Sequence, residues 1–324
     1  MASILVTGAA GFIGSRVVGL LLEDGHTVIG VDDLNDAYDV QLKYWRRDQL
    51  KSCADFSFYE ADICDLESLV DILDRTGEIE AVINLAARAG VRQSIADPGV
   101  YFSTNCIGTL NLLELCVKRG IEKVVQASSS SVYGDSSDQP FSEEKSSEKV
   151  LSPYAASKKA AEVLCHSYHH LYDLDITVLR YFTVYGPAGR PDMSPLRFVR
   201  WVSEGEPVRI FGDGRQSRDF TYIDDIARGT LAALKKVGWK IINLGSDHPI
   251  DLLSMIALVE NEVGKKAIIE HEPRHSSDVL KTWADISRAR EILGWRPETE
   301  FDQGICNLVE WYRFNREWAR LIEL

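Results

Sequence analysis

The sequence contains no uninterrupted apolar run that approaches the roughly 20 residues needed for a transmembrane helix. It also lacks a basic N-terminal region followed by an apolar run of about 7–15 residues, so we expect no secretory signal peptide. Basic residues are fewer than acidic ones, 36 against 49, which gives a net charge of −13. This balance disfavours nucleic acid and anionic membranes as partners, because neither would meet a basic face. An anionic ligand would need arginines concentrated at its own site.

Cysteine is also sparse, and none of the six residues forms a CxxC pair: Cys53, Cys64, Cys106, Cys116, Cys165 and Cys306. Scattered cysteines of this kind favour reduced thiols in a cytoplasmic protein over disulfides or metal ligands. His166 and His170 lie four residues apart in a helical pattern, but no third ligand is evident, so we expect no metal site. The sequence has no internal repeat and no low-complexity tract.

The first half of the chain alternates short apolar runs with helical patterns. Strands are predicted at 3–6, 27–31, 57–59, 81–85, 123–127 and 176–181, and helices at 12–23, 66–75, 101–119 and 153–172. This alternation predicts an α/β fold built on a doubly wound, Rossmann-like parallel sheet with helices on both faces. Such a fold binds its ligands at the carboxyl ends of the strands.

Three glycines follow the first predicted strand and open the first helix, in the stretch TGAAGFIG at 7–14. Gly8, Gly11 and Gly14 permit a tight turn, close approach of the backbone to a pyrophosphate, and close packing of helix on sheet. A glycine pattern alone is a weak signal, but here the strand–turn–helix context is satisfied, which indicates a dinucleotide site. Asp32 and Asp33 then end the second strand. A carboxylate there accepts hydrogen bonds from the ribose hydroxyls and repels a 2′-phosphate, which favours NAD over NADP. Asp32 could also simply start a turn.

Tyr154 and Lys158 lie four residues apart on one face of a predicted helix. A free tyrosine has a pKa near 10 and is a poor base at neutral pH. A nearby lysine cation and the positive charge of a nicotinamide would lower that pKa. Tyr154 could then take a proton from a substrate hydroxyl while hydride leaves the same carbon for NAD, with a serine of the run 128–131 orienting the substrate. A YxxxK pair alone is usually only a surface tyrosine beside a solvated lysine; the serine run and glycine turn make the combination specific.

Several motifs together resemble the extended short-chain dehydrogenase/reductase superfamily: TGAAGFIG, NLAA at 84–87, SSSSVYG at 128–134, YAASK at 154–158 and RYF at 180–182. Most members with this arrangement act on nucleotide-sugars. The stretches 32–43, 88–94 and 180–193 resemble the UDP-glucuronate 4-epimerases. That resemblance implies a cycle in which Tyr154 removes the 4-hydroxyl proton as hydride passes from C4 to NAD. The 4-keto sugar then rotates, and hydride returns to its other face.

The motifs and the resemblance imply a set of site residues. Catalytic roles fall to Ser129, Tyr154 and Lys158. Cofactor contacts are implied at Gly8, Gly11, Phe12, Ile13, Gly14, Asp32, Asn35, Lys43, Asp62, Ile63, Leu85, Ala86, Ala87, Asn105, Tyr154, Lys158 and Tyr181. Substrate contacts are implied at Arg88, Ser129, Ser130, Ser131, Tyr154, Thr183, Arg190, Val208, Arg218 and Asp278. Arg218 would meet the diphosphate, Asp278 the ribose or uracil, and residues 208–211 the base. Arg274 and His275 compete for a further phosphate contact.

The resemblance also implies a division of the chain. Residues 1–182, with a returning segment near 219–246, would form an NAD-binding domain. Residues 183–218 and 247–324 would form a smaller α/β domain that binds the nucleotide-sugar. The run 239–244 reads as one more strand of the main sheet, and the loops 186–195 and 212–218 are typical of functional loops. The family further implies a homodimer that uses the helices at 101–119 and 153–172 as a four-helix contact.

The choice of substrate depends on a carboxylate. A uronate carries a C6 carboxylate, and a 4-keto group lies β to it, so the site must hold the carboxylate in a charged, hydrogen-bonded state to resist decarboxylation. Ser130, Ser131 and Thr183 can donate hydrogen bonds, and Arg190 can add a cation.

Comparison at the serine run narrows the activity further. Nucleotide-sugar 4,6-dehydratases typically carry Asp-Glu where this chain has Ser130-Ser131, and UDP-xylose-forming decarboxylases carry Ser-Glu. UDP-galactose 4-epimerases more often carry Ala-Thr there, and Asn in place of Thr183. The sequence therefore favours UDP-glucuronate 4-epimerase activity. A UDP-galactose or broad 4-epimerase, a UDP-glucuronate decarboxylase and a non-catalytic NAD-binding protein remain as alternatives.

Overall fold

A seven-stranded parallel sheet lies at the centre of the computed structural model, which describes residues 2–136, 138–145, 147–273 and 279–324. The strands of the described residues are β1 (Ser3–Thr7), β2 (Thr27–Asp32), β3 (Phe56–Glu60), β4 (Ala81–Asn84), β5 (Lys123–Ser129), β6 (Asp175–Tyr181), β7 (Thr183–Tyr185), β8 (Pro207–Phe211), β9 (Ser217–Tyr222), β10 (Trp239–Leu244), β11 (Pro249–Asp251) and β12 (Ile268–Glu272). The order in the central sheet is β10-β6-β5-β4-β1-β2-β3, and all neighbouring pairs are parallel. The chain order reverses between β1 and β4, so the predicted doubly wound sheet is confirmed.

Helices follow most of the central strands. They are α1 (Phe12–Glu23), α2 (Gln41–Leu50), α3 (Leu66–Thr76), α4 (Gln93–Ala96), α5 (Pro98–Phe102), α6 (Thr109–Arg119), α7 (Pro153–Tyr172), α8 (Ser194–Glu204), α9 (Ile223–Ala232), α10 (Leu252–Val263) and α11 (Phe301–Ala319). The predicted bounds of α1 and α7 match the structure. Within the described residues, no helix combines the length and apolarity that crossing a membrane requires.

The single helix predicted at 101–119 is wrong in detail. The structure has α5, then a π-helical segment Ser103–Gly108, then α6. Within the π segment, the carbonyl of Asn105 accepts from Thr109 Oγ1 at 2.8 Å, and its side chain bonds to the backbone of Arg88. The π-helical turn therefore occurs where the helix contacts the loop after β4. The spacing of apolar residues along the helix cannot predict a contact with a distant loop.

The second half of the chain forms two smaller sheets beside the central one. One has the order β11-β9-β7 and the other pairs β12 with β8. Helices α8, α10 and α11 pack against one another around a hydrophobic core of their own. Strand β10 returns to the central sheet and pairs with β6, as the sequence predicts. The smaller α/β part thus faces the carboxyl ends of the central strands.

Candidate active site

A cleft of about 680 Å³ opens at the carboxyl ends of the central strands and is lined by both parts of the chain. Most of the predicted site residues line it: Gly8, Gly11, Phe12, Ile13, Gly14, Asp32, Asn35, Lys43, Asp62, Ile63, Leu85, Ala86, Ala87, Ser129, Ser130, Ser131, Tyr154, Lys158, Tyr181, Thr183, Arg190 and Arg218. The fold therefore gathers residues that lie as much as 210 positions apart in the chain, from Gly8 to Arg218.

Val208 does not line the cleft. Its side chain is fully buried in the hydrophobic core around α8 and α10. Arg209, Ile210 and Phe211 line the cleft instead. Asp278 lies outside the described residues, as do Arg274 and His275.

Arg88 and Asn105 do not line the cleft either, and the Asn105 side chain is bonded to the Arg88 backbone. The Asn105 Oδ1 atom accepts from the Arg88 backbone N–H at 2.9 Å, and Asn105 Nδ2 donates to the Arg88 carbonyl at 3.0 Å. Asn105 Nδ2 also donates to Ser157 Oγ at 2.8 Å, which ties the loop after β4 to helix α7. Asn105 thus supports this loop from behind, and Arg92 of the same loop lines the cleft.

The glycine turn after β1 has the geometry of a phosphate cradle. Gly8 has a φ of +69°, and a Cβ added there would lie 2.7 Å from the backbone nitrogen of Ala86. A Cβ on Gly14 would lie 1.9 Å from the Gly8 carbonyl oxygen, so helix α1 packs directly on the turn. No side chain caps the first turn of α1 at Gly11. The backbone can therefore approach a pyrophosphate closely and offer it helix N-terminal N–H groups, which fits NAD.

Asp32 organises the next turn and also faces the cleft. It is buried, and its two carboxylate oxygens accept from the backbone N–H groups of Ala10 at 3.0 Å and Leu34 at 2.9 Å. Burial raises the pKa of the Asp32 carboxyl, while Lys43 Nζ at 3.8 Å acts to lower that pKa. A carboxylate has about four acceptor positions, so Asp32 can hold this turn and still accept from a ribose. The turn-forming and ribose-binding roles are thus compatible.

The predicted catalytic residues meet where β5 ends against α7. Ser129 and Tyr154 line the same cleft, and Tyr101 packs edge-on against the Tyr154 ring at 6.1 Å between centroids. Lys158 is buried, and its Nζ donates to the Ala127 carbonyl at 3.0 Å. The lysine thus joins the helix to the strand directly below the serine.

Two opposing influences act on the pKa of Tyr154. Burial raises the pKa of the Tyr154 phenol, and the Ser129 hydrogen bond and the charge of Arg190 act to lower that pKa. Burial also lowers the pKa of the Lys158 ammonium to about 8. Arg190, from the loop after β7, is therefore a further cation that acts on the phenol.

The four serines after β5 occupy different environments. Ser128 Oγ donates to the buried Glu162 at 2.6 Å. Ser129 Oγ accepts the Ser131 N–H at 3.1 Å and donates to Ser131 Oγ at 3.1 Å, which closes a short 3₁₀ turn. Ser130 and Ser131 line both the cleft and an adjoining cavity of about 150 Å³. All four serines line the cleft, and the hydroxyl of Ser128 is the one bonded to a carboxylate.

Five arginines of the described residues line the cleft of this acidic protein: Arg92, Arg190, Arg197, Arg209 and Arg218. Arg190 pairs with Asp192 through two contacts of 3.0 and 2.6 Å. Burial lowers the pKa of Arg197, and the neighbouring charges of Arg92 and Arg209 lower it further. This local concentration of guanidinium groups is what an anionic ligand requires against a net charge of −13.

Sequence reasoning missed two of these arginines, Arg92 and Arg197. Arg209 lies within the range 208–211 expected to line the base, and it is the exposed residue of β8 between the buried Val208 and Ile210. Arg92 and Arg197 had no comparable local signal. Arg92 is recognisable only in three dimensions, where its guanidinium carbon lies 4.0 Å from the ring centroid of Phe211.

Comparison with known proteins gives a consistent family. A family model described as the NAD dependent epimerase/dehydratase family matches residues 4–245. A UDP-glucuronate 4-epimerase of Thermodesulfobacterium geofontis is 54% identical over 321 residues, covering 99% of both chains. A probable UDP-glucuronate 4-epimerase of Rhizobium meliloti is 36% identical, covering 96% of this chain and 97% of the relative.

Solved structures with the same fold carry two kinds of UDP-sugar. UDP-glucuronic acid 4-epimerase from Bacillus cereus, in complex with UDP-glucuronic acid and NAD, has a TM-score of 0.90 and 38% identity. UDP-glucose 4-epimerase from Thermotoga maritima, with UDP-glucose, has a TM-score of 0.90 and 34% identity. Each alignment covers 97% of this chain and 99% of the other. Because the fold similarity is equal, the substrate of this chain must be argued from its site.

Proposed function

Because the chain belongs to the NAD dependent epimerase/dehydratase family, we propose that it is an isomerase that interconverts UDP-glucuronate and UDP-galacturonate by 4-epimerisation. The observation that supports the substrate assignment is the presence of neutral donors and a cation in the same cleft as Tyr154. Ser130, Ser131, Thr183 and Arg190 all line the cleft that holds the phenol. The family membership also confirms the resemblance to the extended short-chain dehydrogenase/reductase superfamily.

When bound, NAD would supply the redox chemistry, as the acceptor of the C4 hydride and as its donor to the opposite face of the 4-keto sugar. Tyr154 is the base that takes the 4-hydroxyl proton and later gives it back. Ser129 orients the reacting oxygen through its hydroxyl, which lines the same cleft as the phenol. The charge of Arg190 acts to lower the pKa of Tyr154, against the effect of burial, and a positive nicotinamide would act in the same direction.

The carboxylate of the sugar needs donors and no opposing acid. Ser130 and Ser131 present hydroxyls from the turn after β5, and Thr183 presents one from β7. Arg190 adds charge, and its pairing with Asp192 fixes the orientation of the guanidinium fork. A carboxylate held in this way stays charged and solvated by the protein, which opposes loss of carbon dioxide.

The remaining arginines suit the UDP diphosphate. Arg218 and Arg209 come from β9 and β8, and Arg92 comes from the loop after β4, so the anion would be held by both parts of the chain. Holding the nucleotide firmly while the sugar is held by hydroxyls leaves the sugar ring free to turn over between the two hydride transfers. In this arrangement residues 1–182 and 219–246 bind NAD, and residues 183–218 and 247–324 bind the nucleotide-sugar.

The direct test is to incubate purified protein separately with UDP-glucuronate, UDP-glucose and UDP-galactose and to resolve the products by chromatography. We expect UDP-galacturonate from UDP-glucuronate, and slower turnover of the neutral sugars. Tyr154→Phe should abolish this turnover, by at least about a hundredfold for loss of a general base, while NAD stays bound. Faster turnover of UDP-glucose, or unchanged turnover by Tyr154→Phe, would contradict the assignment.

We further propose that the protein is a cytoplasmic homodimer. All six cysteines are unpaired, which suits a reducing compartment. Helices α5, α6 and α7 pack together and leave apolar side chains on their outer face, as a second copy would require.

A further inference from the structure

Arg46 of helix α2 is a buried cation that the reaction scheme does not use. The residue is only 3% exposed and does not line the cleft. Every hydrogen bond that it makes with the described residues goes to a neutral oxygen. Burying a charge is costly unless its partners compensate for lost water, so a guanidinium held without a carboxylate calls for an explanation.

Those bonds join three segments that border the cleft. Arg46 donates to the Ala188 carbonyl from Nε at 3.0 Å and from Nη2 at 2.6 Å, and to the Gly189 carbonyl at 3.2 Å. It donates to the Tyr38 hydroxyl at 2.7 Å and reaches the Ala10 carbonyl of the glycine turn at 3.4 Å. Its guanidinium also lies over the Phe12 ring at 5.7 Å. One side chain thus links the phosphate cradle to the loop that precedes Arg190.

The backbone of that loop needs such support. Ala188 has a φ of +54°, in the left-handed region that residues other than glycine seldom adopt. A non-glycine residue persists there only when the surrounding structure holds it, and the forked contact from Arg46 falls on this residue's own carbonyl. Arg190 follows two residues later and carries the charge that acts on Tyr154.

We infer that Arg46 is a positioning residue. It fixes Arg190 relative to the glycine turn that would hold the cofactor, and so holds the substrate carboxylate in place while C4 reacts. The inference rests on the proposed function, since it assigns Arg190 to the carboxylate. Lysine cannot replace Arg46, because a single ammonium cannot reproduce the two-pronged contact with Ala188 together with the bond to Tyr38.

A misplaced Arg190 has a specific chemical consequence. In the 4-keto uronate the C5–C6 bond can break, its electron pair passes to the 4-keto oxygen as an enolate, and C6 leaves as carbon dioxide. C5 then takes a proton, so the product is a UDP-4-keto-pentose. Loss of the carboxylate contact therefore changes which product forms, whereas a general loss of stability only lowers the amount of active enzyme.

The test compares Arg46→Lys with Arg47→Lys, since Arg47 is the next residue of α2 and bonds to Asp48 on the helix surface. Each substitution is made in the full chain and also in a Tyr154→Phe background, where calorimetry reports UDP-glucuronate binding without turnover. NAD content and thermal unfolding are measured in every preparation. We expect Arg46→Lys to weaken UDP-glucuronate binding by about tenfold, as for the loss of a charged hydrogen bond, and to raise the share of carbon dioxide and UDP-4-keto-pentose among the products. Arg47→Lys should match the unsubstituted chain in both.

Tyr38→Phe is the second variant, because it removes only the hydroxyl that accepts from Arg46 and retains the ring. It should shift binding and products in the same direction as Arg46→Lys, to a smaller extent, even if Arg46→Lys does not fold. Unaltered binding and an unaltered product ratio in Arg46→Lys, or in Tyr38→Phe if Arg46→Lys does not fold, would overturn the positioning role. Failure of the unsubstituted chain to epimerise UDP-glucuronate would instead overturn the proposed function.

Discussion

At the scale of single residues, burial dominates the titration of the catalytic lysine. Lys158 is 3% exposed, and its one hydrogen bond with the described residues goes to a neutral carbonyl, that of Ala127. Burial lowers the pKa of Lys158 from its ordinary 10.5 to about 8, because desolvation disfavours the charged form. Burying this lysine therefore lowers the stability of the folded protein. Such a cost is expected of a residue with a functional role, and not of one that only fills the core.

This cost makes the stability of the protein depend on pH in a predictable direction. Between about pH 8 and 10.5 the unfolded chain holds a proton on Lys158 that the folded chain has lost, so stability rises with pH across that window. Below pH 8 the lysine is charged in both states and the full cost of burial is present. Relative to Lys158→Met, the unsubstituted protein should therefore gain about 3 kcal/mol in unfolding free energy across the window.

Urea denaturation of both proteins at several pH values measures this difference. Lys158→Arg is the control, because arginine stays protonated throughout the range and its burial cost cannot be relieved. Parallel stability curves for the unsubstituted protein and Lys158→Met would show that burial of this ammonium does not shift its pKa.

At the scale of elements, strand β5 and helix α7 are joined below the catalytic residues by a buried ion pair. Arg180 of β6 donates to both carboxylate oxygens of Glu162 at 2.8 Å, and Ser128 donates to the same carboxylate at 2.6 Å. All three side chains are nearly inaccessible to solvent. The pair thus ties two strands and the helix at the level of the active site, one helical turn after Lys158.

Helix α1 offers two glycines with opposite expected effects on substitution. Gly14→Ala would place a Cβ 1.9 Å from the Gly8 carbonyl oxygen, so the helix must move off the turn. We expect a loss of about 1–3 kcal/mol in stability and a marked loss of NAD binding. Gly19→Ala places its Cβ 3.5 Å from the nearest atom, the end of the Arg16 side chain. That variant should be more stable by up to about 1 kcal/mol, because alanine favours a helix, and should bind NAD normally.

Thermal unfolding and titration with NAD distinguish the two variants. Equal NAD affinities for Gly14→Ala and Gly19→Ala would mean that close packing of helix on turn does not shape the phosphate cradle.

At the scale of the whole molecule, the outer face of helices α5 to α7 is apolar. Val163 is 58% exposed and Leu171 is 65% exposed, eight residues apart on α7, and Phe102 and Ile107 are exposed before α6. Spacing of eight residues places the first two on one side of the helix. A second copy related by a twofold axis would bury this face against itself.

Val163→Glu should therefore convert the protein to a monomer, because it would bury two unpaired carboxylates across the twofold axis. Phe314→Glu is the matched control, since Phe314 is 91% exposed but lies on α11. Light scattering after size-exclusion chromatography measures the mass of each. A dimer that survives Val163→Glu, or an unsubstituted protein that is already monomeric, would contradict the proposed interface.

The sequence by itself determined the central fold, because the signals for it are local. The period of the apolar residues predicted β1, α1 and α7. The glycine spacing at 8–14 identified the phosphate cradle, because a side chain at Gly8 or Gly14 would clash with the backbone. The grouping of the three predicted catalytic residues was equally readable, because Tyr154 and Lys158 share one turn of helix and Ser129 ends the strand before it. These features depend on residues close together in the chain or on strand ends that every parallel sheet brings to one edge.

Only the tertiary structure decided which charges meet at the site. The effect of Arg190 on Tyr154, the place of Arg92 over Phe211 and the three-way contact of Arg46 all join segments far apart in sequence. The exclusion of Val208 and Arg88 from the cleft likewise follows from packing around them. The burial of a side chain and the charges around it depend on which distant segments pack against it, and no repeating pattern in the sequence reports this. The fold could therefore be predicted from the sequence, whereas the electrostatics of the site could not.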